Sequence, residues 1–473
     1  LQLTRNATNS NIKIRNRTMR GALMDRFTFF RKQLNADLRP HISRVWRLSI
    51  PAILTQITTV AMQYIDSAMV GKLGANASAS IGLVSTSTWL MNGISTAVAV
   101  GFSVQVAQYI GAKEPLHARR VMKHGFAAAL LISLILMLLG IAISNPLPRW
   151  LGGEKALWRD ASAYFLLFAI TMPFMTMNRM AASFLQSAGN MVVPSVLNAM
   201  MCVLDVVFNA IFIPKYGVLG AGIGTCLATV VVCFAELWFC CFRYEPLRLN
   251  RREKCPLDMS VLRRALRIGA PVGAESMAMS GAHVASTVII APLGAISMAA
   301  HTLAITAESL CYMPGYGIAT AASTLVGQSI GAKDHRLARR YGYITVSFGC
   351  AVMTLTGILM YIACPLVFQM LTPVKEVQIV AAQILRIGLI AEPLYGVSMV
   401  ASGALRGAED TLVPSILNLL SMWVVRLGLA LILVPLYGIL GMWIAMASEL
   451  CVRGLLMLCR LMRSKHMRPD LNT

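Results

Sequence analysis

Charged residues are scarce in this chain. Asp, Glu, Lys and Arg make up 13% of its 473 residues, whereas hydrophobic residues make up 57%. Soluble domains carry about 25% charged residues, and half of that supply cannot cover a surface that contacts water. The composition therefore excludes an ordinary water-soluble protein and predicts that much of the surface faces lipid.

Disulfide and metal-binding patterns are also missing. The 11 cysteines include no Cys-x-x-Cys pair and no cysteine–histidine cluster with the spacing of metal ligands. Most of them fall inside apolar runs, where cysteine behaves as a small hydrophobic residue. We expect no disulfide, no structural metal and no bound cofactor.

Long apolar runs are what the sequence has in abundance. About 20 mostly apolar residues cross a bilayer as one helix, and a helix satisfies its own backbone groups where water is absent. Twelve runs can be placed: 46–70, 79–111, 122–145, 158–180, 191–213, 218–241, 265–290, 297–331, 342–368, 378–404, 412–435 and 437–460. The second and eighth are overlong, which predicts tilting or bending at Gly93 and Gly101, and at Pro314 and Gly315. The predicted fold class is an all-α polytopic membrane protein with twelve transmembrane helices.

The basic residues predict how these helices are oriented. Lys and Arg number 42 against 20 Asp and Glu, and most of them fall in the termini and in the loops after even-numbered runs. Basic residues are retained on the cytoplasmic side, so both termini are predicted to be cytoplasmic in a multi-pass protein of the cell (inner) membrane. The net charge of +22 is interpreted as this topology signal and as attraction to membrane lipids, not as nucleic-acid binding. We expect a monomer.

The second half of the chain repeats the first. "QYIGAKEPLHARR" at 108–120 returns as "QSIGAKDHRLARR" at 328–340, a shift of 220, and the same shift aligns six runs with six. The odd-numbered loops fall on the same side in both halves, so the repeat is parallel and predicts two six-helix lobes around a central cleft. The predicted organisation is a basic cytoplasmic segment (1–44), an N-lobe with helices 1–6 (45–242), a cytoplasmic linker (243–264), a C-lobe with helices 7–12 (265–461) and a cytoplasmic tail (462–473).

Acidic residues inside the runs mark candidate sites, because a charge at the centre of a membrane helix costs roughly 2.5–3.5 kcal/mol on insertion scales. In the first half these are Asp66, Asp205 and Glu236, of which Glu236 lies near a membrane face and is expected to be solvated or paired with a loop. Asn198, Asp205 and Asn209 fall within about 40° on a helical wheel, and this face is expected to point towards Asp66. Two carboxylates with nearby amide oxygens can share a proton or hold a small cation. The alternative is a network of hydrogen bonds between helices with no role in transport.

Three glutamates stand out in the second half. Glu275, Glu308 and Glu392 lie on the seventh, eighth and tenth runs, and His301 lies two turns before Glu308. We expect the glutamates to converge in one water-accessible pocket that binds a proton, a cation or a cationic substrate, because one hydrated pocket costs less than three separate buried charges. The alternative is structural pairing of each with Arg386 or Arg426.

Five stretches carry a resemblance to a known family: "YIDSAMVGKLG" (64–74), "GFSVQVAQYIGAK" (101–113), "YGVLGAGIGT" (216–225), "ESLCYMPGYGIATAASTLVGQSIGAK" (308–333) and "EPLYGVSMVASGALRGAEDT" (392–411). Over residues 45–460 the sequence resembles the multidrug and toxic compound extrusion (MATE) family, within the multidrug/oligosaccharidyl-lipid/polysaccharide exporter superfamily. The resemblance implies an antiporter and not an enzyme: protons or sodium ions enter, and an organic compound, often amphipathic or cationic, leaves. It also implies a V-shaped cleft between two lobes that rock to give alternating access.

The resemblance also implies roles for residues of the N-lobe. Asp66 and Asp205 match the acids of the family's cation site, and Thr225 matches its sixth-helix hydroxyl. Many members carry Asn four residues before the fifth-helix acid, where this chain has Met201. Asn198 is the nearest substitute.

In the C-lobe, Glu275, Glu308 and Glu392 fit a bacterial subgroup rich in glutamate, so coupling to protons and coupling to sodium both stay open. Residues expected to contact substrate in the cleft are Gln63, Tyr64, Met175, His301 and Tyr395.

Two other functional classes fit the composition. A flippase for a lipid-linked precursor, from the same superfamily, would carry extra helices and a strongly cationic cavity. A membrane enzyme or receptor would carry a metal cluster or a nucleophile motif in a loop, and the loops here are short and basic. An exporter agrees best with twelve runs that contain acids.

Overall fold

The computed structural model describes residues 38–250, 256 and 258–464, and within these ranges the chain contains helices and turns but no strand. The chain divides into two compact units, residues 1–47 and 48–473. Residues 38–47, the described part of the first unit, are helical. The predicted segments 1–44 and 462–473 lie mostly outside the described residues.

Twelve long helical segments make up the described part of the chain. They are α1 (Leu38–Gly71), α2 (Ala75–Gly111), α3 (Pro115–Ile143), α4 (Trp158–Ser187), α5 (Val192–Tyr216), α6 (Val218–Trp238), α7 (Met259–Ile290), α8 (Ala295–Gly331), α9 (His335–Leu371), α10 (Lys375–Leu389 and Glu392–Gly407), α11 (Leu412–Tyr437) and α12 (Ile439–Arg463). The predicted all-α, twelve-helix architecture is confirmed.

Ten of these helices are long and apolar enough to cross a membrane, and α10 is an eleventh if its two parts form one span. The twelfth, α8, has the length of 37 residues but not the same apolar character. Its sequence is rich in Ala, Gly, Ser and Thr, and most of its C-terminal half is buried by other helices. A helix enclosed by protein needs no lipid-facing apolar surface, so its composition can be more polar.

Several helices begin earlier than their apolar runs. α3 begins at Pro115, α7 at Met259 and α9 at His335, whereas the runs start about a turn or two later. The apolar pattern marks only the part of a helix in the membrane, and the added turns are rich in Arg. The side chain of Asp258 caps α7 by accepting hydrogen bonds from the backbone N–H (2.9 Å) and hydroxyl (2.6 Å) of Ser260. These bonds stabilise the ionised form and lower the pKa of Asp258.

α2 and α8 are each one continuous helix of 37 residues, with no break at the positions where tilting or bending was expected. Their glycines permit close packing instead: a Cβ atom at Gly101 would overlap the backbone carbonyl of Ala265 in α7. The bend lies in α10, whose two parts meet at 55°. Pro393, at the start of the second part, has no N–H and would clash with the carbonyl of Leu389, where the first part ends.

Each half of the chain builds its own apolar core. One core contains Phe102, Met180 and Phe184 from α2 and α4, and the first residues of α7 pack into it. The other contains Phe368 of α9 and Trp443 of α12, both fully buried. The polar sites described below therefore lie among helices whose positions are fixed by apolar packing.

The repeated "IGAK" stretches join the two halves by a reciprocal contact. A Cβ atom at Gly111, the last residue of α2, would overlap the backbone carbonyl of Gln328 in α8, and a Cβ atom at Gly331 would overlap the carbonyl of Gln108 in α2. The two contacts are related by the shift of 220 residues. Only glycine allows backbones to approach this closely, which explains why the stretch occurs twice.

Four helices end in the same type of turn. After α2, α4, α8 and α10, the backbone N–H groups bond to carbonyls three and five residues earlier, as in a Schellman motif. The left-handed position is taken by Lys113 (φ 61°), Gly189 (φ 93°), Lys333 (φ 58°) and Glu409 (φ 62°). Glu409, in the position equivalent to Gly189, forms an ion pair with Arg264, and Arg264 also donates a 2.6 Å hydrogen bond to Gln108.

Candidate functional site

Asp66 of α1 and Asp205 of α5 share one hydrogen-bond donor. The side-chain Nδ2 of Asn209 donates to Oδ1 of Asp66 at 2.9 Å and to Oδ2 of Asp205 at 3.1 Å. Asn209 lies one helical turn after Asp205, so both side chains leave the same face of α5. The predicted polar face of α5 does point towards Asp66.

The acid pair is partly enclosed by protein, with Asp66 half-buried, and it lacks a basic partner among the described residues. Asp205 and Asn209 are fully buried, and Oδ1 of each has no hydrogen-bond partner among the described residues. Gly224 of α6 lies against Asn209, where a Cβ atom would overlap the amide oxygen. Within the same ranges, neither carboxylate forms an ion pair with Lys, Arg or His. Two carboxylates, an amide oxygen and no cation form a set of oxygen atoms that can bind a proton or a small cation.

The other residues predicted for the N-lobe site lie apart from the acid pair. Asn198, two turns before Asp205, donates to the carbonyl of Thr55 (3.0 Å) and the hydroxyl of Thr59 (3.2 Å). The hydroxyl of Thr225 makes no hydrogen bond to either carboxylate, although its neighbour Gly224 contacts Asn209. Asn209 thus occupies the place beside the acids that was expected of Asn198.

A cavity of about 390 Å³ lies in the second half of the chain. It is bounded by side chains of α7, α8, α10, α11 and α12, with Trp89 of α2 at one side. Three predicted residues line it: His301, Glu308 and Tyr395. His301 accepts a 3.2 Å hydrogen bond from the indole N–H of Trp443. Gln63, Tyr64 and Met175 do not line it: Tyr64 donates a 2.6 Å bond to the carbonyl of Thr306, Met175 packs in an apolar cluster with Met172, and Gln63 is exposed.

A buried ion-pair cluster adjoins this cavity. Glu449 of α12 is fully buried and accepts hydrogen bonds from Nη2 (2.6 Å) and Nε (3.2 Å) of Arg426. Its other oxygen lies 3.1 Å from Nε of Arg453, one turn further along α12, and accepts a hydrogen bond from the hydroxyl of Ser421. Residues Ser421–Arg426 form a π-helical turn within α11. Such turns often occur at functional sites. This one contains Ser421 and Arg426, the two residues of α11 that donate hydrogen bonds to Glu449.

Glu308 and Glu392 both lie beside the break in α10. Oε1 of Glu308 has no hydrogen-bond partner among the described residues, and neither oxygen of Glu392 has one. Gly388, just before the break, leaves room for Glu308, and Gly357 of α9 leaves room for Glu392. Glu308 lines the cavity, whereas Glu392 does not. A buried carboxylate without a donor is costly to keep ionised, so these two acids are suited to bind a proton or a cation.

Glu275 contradicts the expectation that three glutamates share one pocket. It does not line the cavity; it accepts bonds from Ser415 (2.7 Å) and Asn418 (2.6 Å) of α11 and lies 3.3 Å from Arg406. The two arginines that were the expected alternative partners of these glutamates contact other residues. Arg426 pairs with Glu449, and Arg386 lies over the ring of Tyr361. Glu275 is held in a structural network that links α7, α10 and α11.

Two groups of functional residues were missed or undervalued in the sequence. Glu449 is an acid in the last run, four residues before Arg453, and this i,i+4 spacing is the signal that predicts their contact. Tyr312 of α8 lies beside Tyr395, with ring centroids 5.7 Å apart and the rings tilted by 58°, but no local pattern distinguishes it from a packing residue. No group of three or more His, Cys, Asp or Glu able to hold a metal occurs within the described ranges.

Comparison with known sequences gives full-length relatives. The MatE family model matches the chain twice, over residues 51–211 and 271–432, so its two matches reproduce the internal repeat. A relative from Thermotoga maritima, named a probable multidrug resistance protein NorM, is 28% identical over 451 residues, which cover 92% of this chain and 95% of the relative.

Comparison with solved structures gives the same fold. A transporter of the MOP superfamily from Pyrococcus furiosus, described as having a binding pocket of reverse polarity, has a TM-score of 0.84 at 20% identity and covers 89% of this chain and 95% of its own. The Vibrio cholerae MATE transporter VcmN in the bent form has a TM-score of 0.82 at 18% identity, with 90% and 97% covered. At these identities the similarity establishes the fold alone.

Proposed function

This chain belongs to the MatE family, and on that premise we propose that it exports organic compounds across the cell membrane by cation-coupled alternating access. The relatives named multidrug resistance proteins support a multidrug efflux transporter, without enzymatic activity. The coupling ion is a proton or a sodium ion that enters as the substrate leaves.

The observation that carries this proposal is the acid pair bridged by Asn209. Among the described residues no basic side chain balances a negative charge on these two carboxylates, and such a charge among membrane helices is costly. Binding of a proton or a cation removes that cost, so occupancy of the site changes the relative energy of the conformations in which it is open or closed. Asp66 on α1 and Asp205 on α5 would respond together, because Asn209 contacts both.

The positions of the basic residues support an orientation with both termini in the cytoplasm. The contact of Gly111 with Gln328, and of Gly331 with Gln108, then lies at the cytoplasmic end of α2 and α8. A conformation with these backbones in contact is closed on the cytoplasmic side. We further infer a monomer in contact with membrane lipids, a small-molecule substrate and no nucleic-acid partner.

Replacement of Asp66 by Asn tests the coupling site. The amide retains the shape of the carboxylate but cannot bind a proton or balance a cation, so Asp66→Asn is expected to abolish gradient-driven transport while the protein stays folded. The assay is substrate flux in proteoliposomes under an imposed proton or sodium gradient, which also identifies the ion. Glu154→Gln, at an exposed acid outside the helical bundle, is the matched control. Wild-type flux in Asp66→Asn would refute the assignment of the site.

A further inference from the structure

The cavity of the second half carries more positive than negative charge on its α11 and α12 side. Arg426 and Arg453 both line it, and Glu449, which is fully buried, is the one carboxylate among the described residues that forms an ion pair with them. The single carboxylate of Glu449 balances one of the two guanidinium groups. The side of the cavity formed by α11 and α12 therefore has one positive charge in excess. His283 and His301 also line the cavity and add no negative charge.

Arg453 has donors that the protein does not use. Its side chain is 6% exposed, and its guanidinium carbon lies 5.2 Å from the ring centroid of Tyr395. Its Nε lies 3.1 Å from Glu449 without donating a hydrogen bond, and its two terminal nitrogens donate none to the described part of the chain. Arg453 lines the cavity, and the flat fork of a guanidinium matches the two oxygens of a carboxylate. The acceptor that fits is therefore an oxyanion inside the cavity.

The rest of the cavity suits an aromatic or apolar body. Tyr312 lies between Tyr316 (centroids 6.2 Å apart) and Tyr395 (5.7 Å apart), and Met279, Met442 and Met446 complete the lining. Tyrosine rings bind flat apolar groups, and methionine adapts to different shapes. About 390 Å³ is within the range of small-molecule pockets, roughly 300–1,000 Å³.

We propose that this cavity binds amphipathic organic anions, with a carboxylate on the terminal nitrogens of Arg453 and the apolar body against Tyr312, Tyr316 and Tyr395. The proposal rests on the proposed export function and specifies its substrate class, which differs from the cationic compounds that the sequence suggested. A cationic group placed beside Arg453 would meet a like charge. Glu308, on α8, is the acid that lines the cavity, and it allows a zwitterion whose amine lies on that side.

Three pyrene compounds test the substrate class by binding alone. Pyrenebutyrate, its methyl ester and pyrenebutyl-trimethylammonium share one ring system and differ in charge. Each is titrated by fluorescence against the wild-type protein in phosphatidylcholine nanodiscs, which contain no anionic lipid. The carboxylate is expected to bind at least about tenfold more tightly than the ester, because one hydrogen-bonded charge pair lowers the Kd by about that factor. The ammonium compound is expected to bind more weakly than either. Equal binding of carboxylate and ester, or tighter binding of the ammonium compound, would overturn the proposal.

Substitutions then locate the anion. Arg453→Gln is expected to raise the Kd of pyrenebutyrate about tenfold and to leave that of the ester unchanged. Arg386 belongs to the same half of the chain but does not line the cavity. Arg386→Gln removes one positive charge there and should leave the Kd of pyrenebutyrate and the Kd of the ester unchanged. If Arg453→Gln does not fold, the difference in Kd between carboxylate and ester on the wild-type protein still tests whether the cavity prefers an anion. If phosphatidylglycerol added to the nanodiscs displaces pyrenebutyrate, the oxyanion site belongs to a lipid headgroup and the proposed substrate class is wrong.

Transport separates this proposal from the proposed function. Export of pyrenebutyl-trimethylammonium under an ion gradient, with no export of pyrenebutyrate, would leave the exporter function standing and refute the anion site. Tight binding of pyrenebutyrate without transport under either gradient would support the site and refute cation-coupled export. Gradient-driven export of pyrenebutyrate, reduced in Arg453→Gln and not in Arg386→Gln, supports both.

Discussion

The carboxylate of Glu275 accepts a 2.6 Å hydrogen bond from the side-chain amide of Asn418. The equivalent amide in the first half, Asn198, donates to the carbonyl of Thr55, and Thr55 is the residue equivalent to Glu275. The contact between the first and fifth helices of each half is thus retained, while the acceptor has changed from a backbone carbonyl to a buried carboxylate. Glu275 therefore belongs to the packing of its lobe.

Burial predicts that Glu449 contributes more to stability than Glu275. Glu449 is fully buried between two guanidinium groups, whereas the side chain of Arg406, the ionic partner of Glu275, is 27% exposed. Glu449→Gln leaves two buried arginines without a counter-charge and is expected to cost about 3–5 kcal/mol. Glu275→Gln can keep its bonds to Ser415 and Asn418 and is expected to cost about 1–2 kcal/mol.

Thermal unfolding of the purified protein in detergent gives the ranking of these variants. The control is Glu376→Gln, at an exposed acid in the first turn of α10. A melting temperature for Glu275→Gln at or below that of Glu449→Gln would contradict the prediction.

Gly224→Ala is expected to disrupt the acid pair without any change of charge. The added methyl group would overlap the amide oxygen of Asn209, and Asn209 can move only by losing its bonds to Asp66 and Asp205. Gradient-driven flux should fall as far as it does in Asp66→Asn. Gly428→Ala, in α11, is the matched control because no atom lies within 4 Å of its added Cβ. The idea fails if the two alanine variants transport equally well.

Gly111→Ala or Gly331→Ala is expected to favour a conformation in which the C-terminal ends of α2 and α8 are apart. Either methyl group overlaps a backbone carbonyl of the opposite helix, so the closed contact is lost. Spin labels at Leu116 and Arg336, which are exposed and equivalent in the two halves, should report a longer distance in both variants. Gly82→Ala, with open space around its Cβ, should retain the wild-type distance distribution. An unchanged distribution in both variants would show that the contact does not limit opening.

Glu308→Gln is expected to change the pH dependence of transport. Glu308 lines the cavity, so its proton can exchange with water there, and the variant has one titrating group fewer in the transport cycle. Glu392→Gln should change the profile less, because Glu392 does not line the cavity. Initial rates in proteoliposomes, measured over a range of pH and normalised to the amount of protein, give the profiles. Superimposable profiles for wild type and Glu308→Gln would remove Glu308 from the coupling mechanism.

The sequence predicts the helices well because lipid imposes a pattern that can be counted. It predicts even α8, which is less apolar than the ten helices long and apolar enough to cross a membrane, as a run of its own and as the repeat of α2. The face of α5 that points to Asp66 was also predictable, since Asp205 and Asn209 are polar residues on an otherwise apolar helix. In each case a local pattern has one physical explanation.

The rotation of buried helices is what the sequence could not predict. In the second part of α10, buried residues occur on every side, so no apolar stripe indicates which face meets the cavity. The depth of Glu275 along its helix was compatible with the pocket, but its direction depends on the packing of α7 against α11. The break in α10 was missed although Pro393 and its clash with Leu389 could have indicated it.

Glu409 and Gly189 occupy equivalent turns, and their difference gives the two halves unequal energies. A left-handed conformation costs a residue with a side chain roughly 1–2 kcal/mol, and glycine almost nothing. At Glu409 that cost is offset by the ion pair with Arg264, at the start of α7. If α7 moved away from Glu409, that residue would lose this compensation, while Gly189 would lose nothing. In the proposed transport cycle we therefore expect the two lobes, which differ at this turn, to rearrange at different moments.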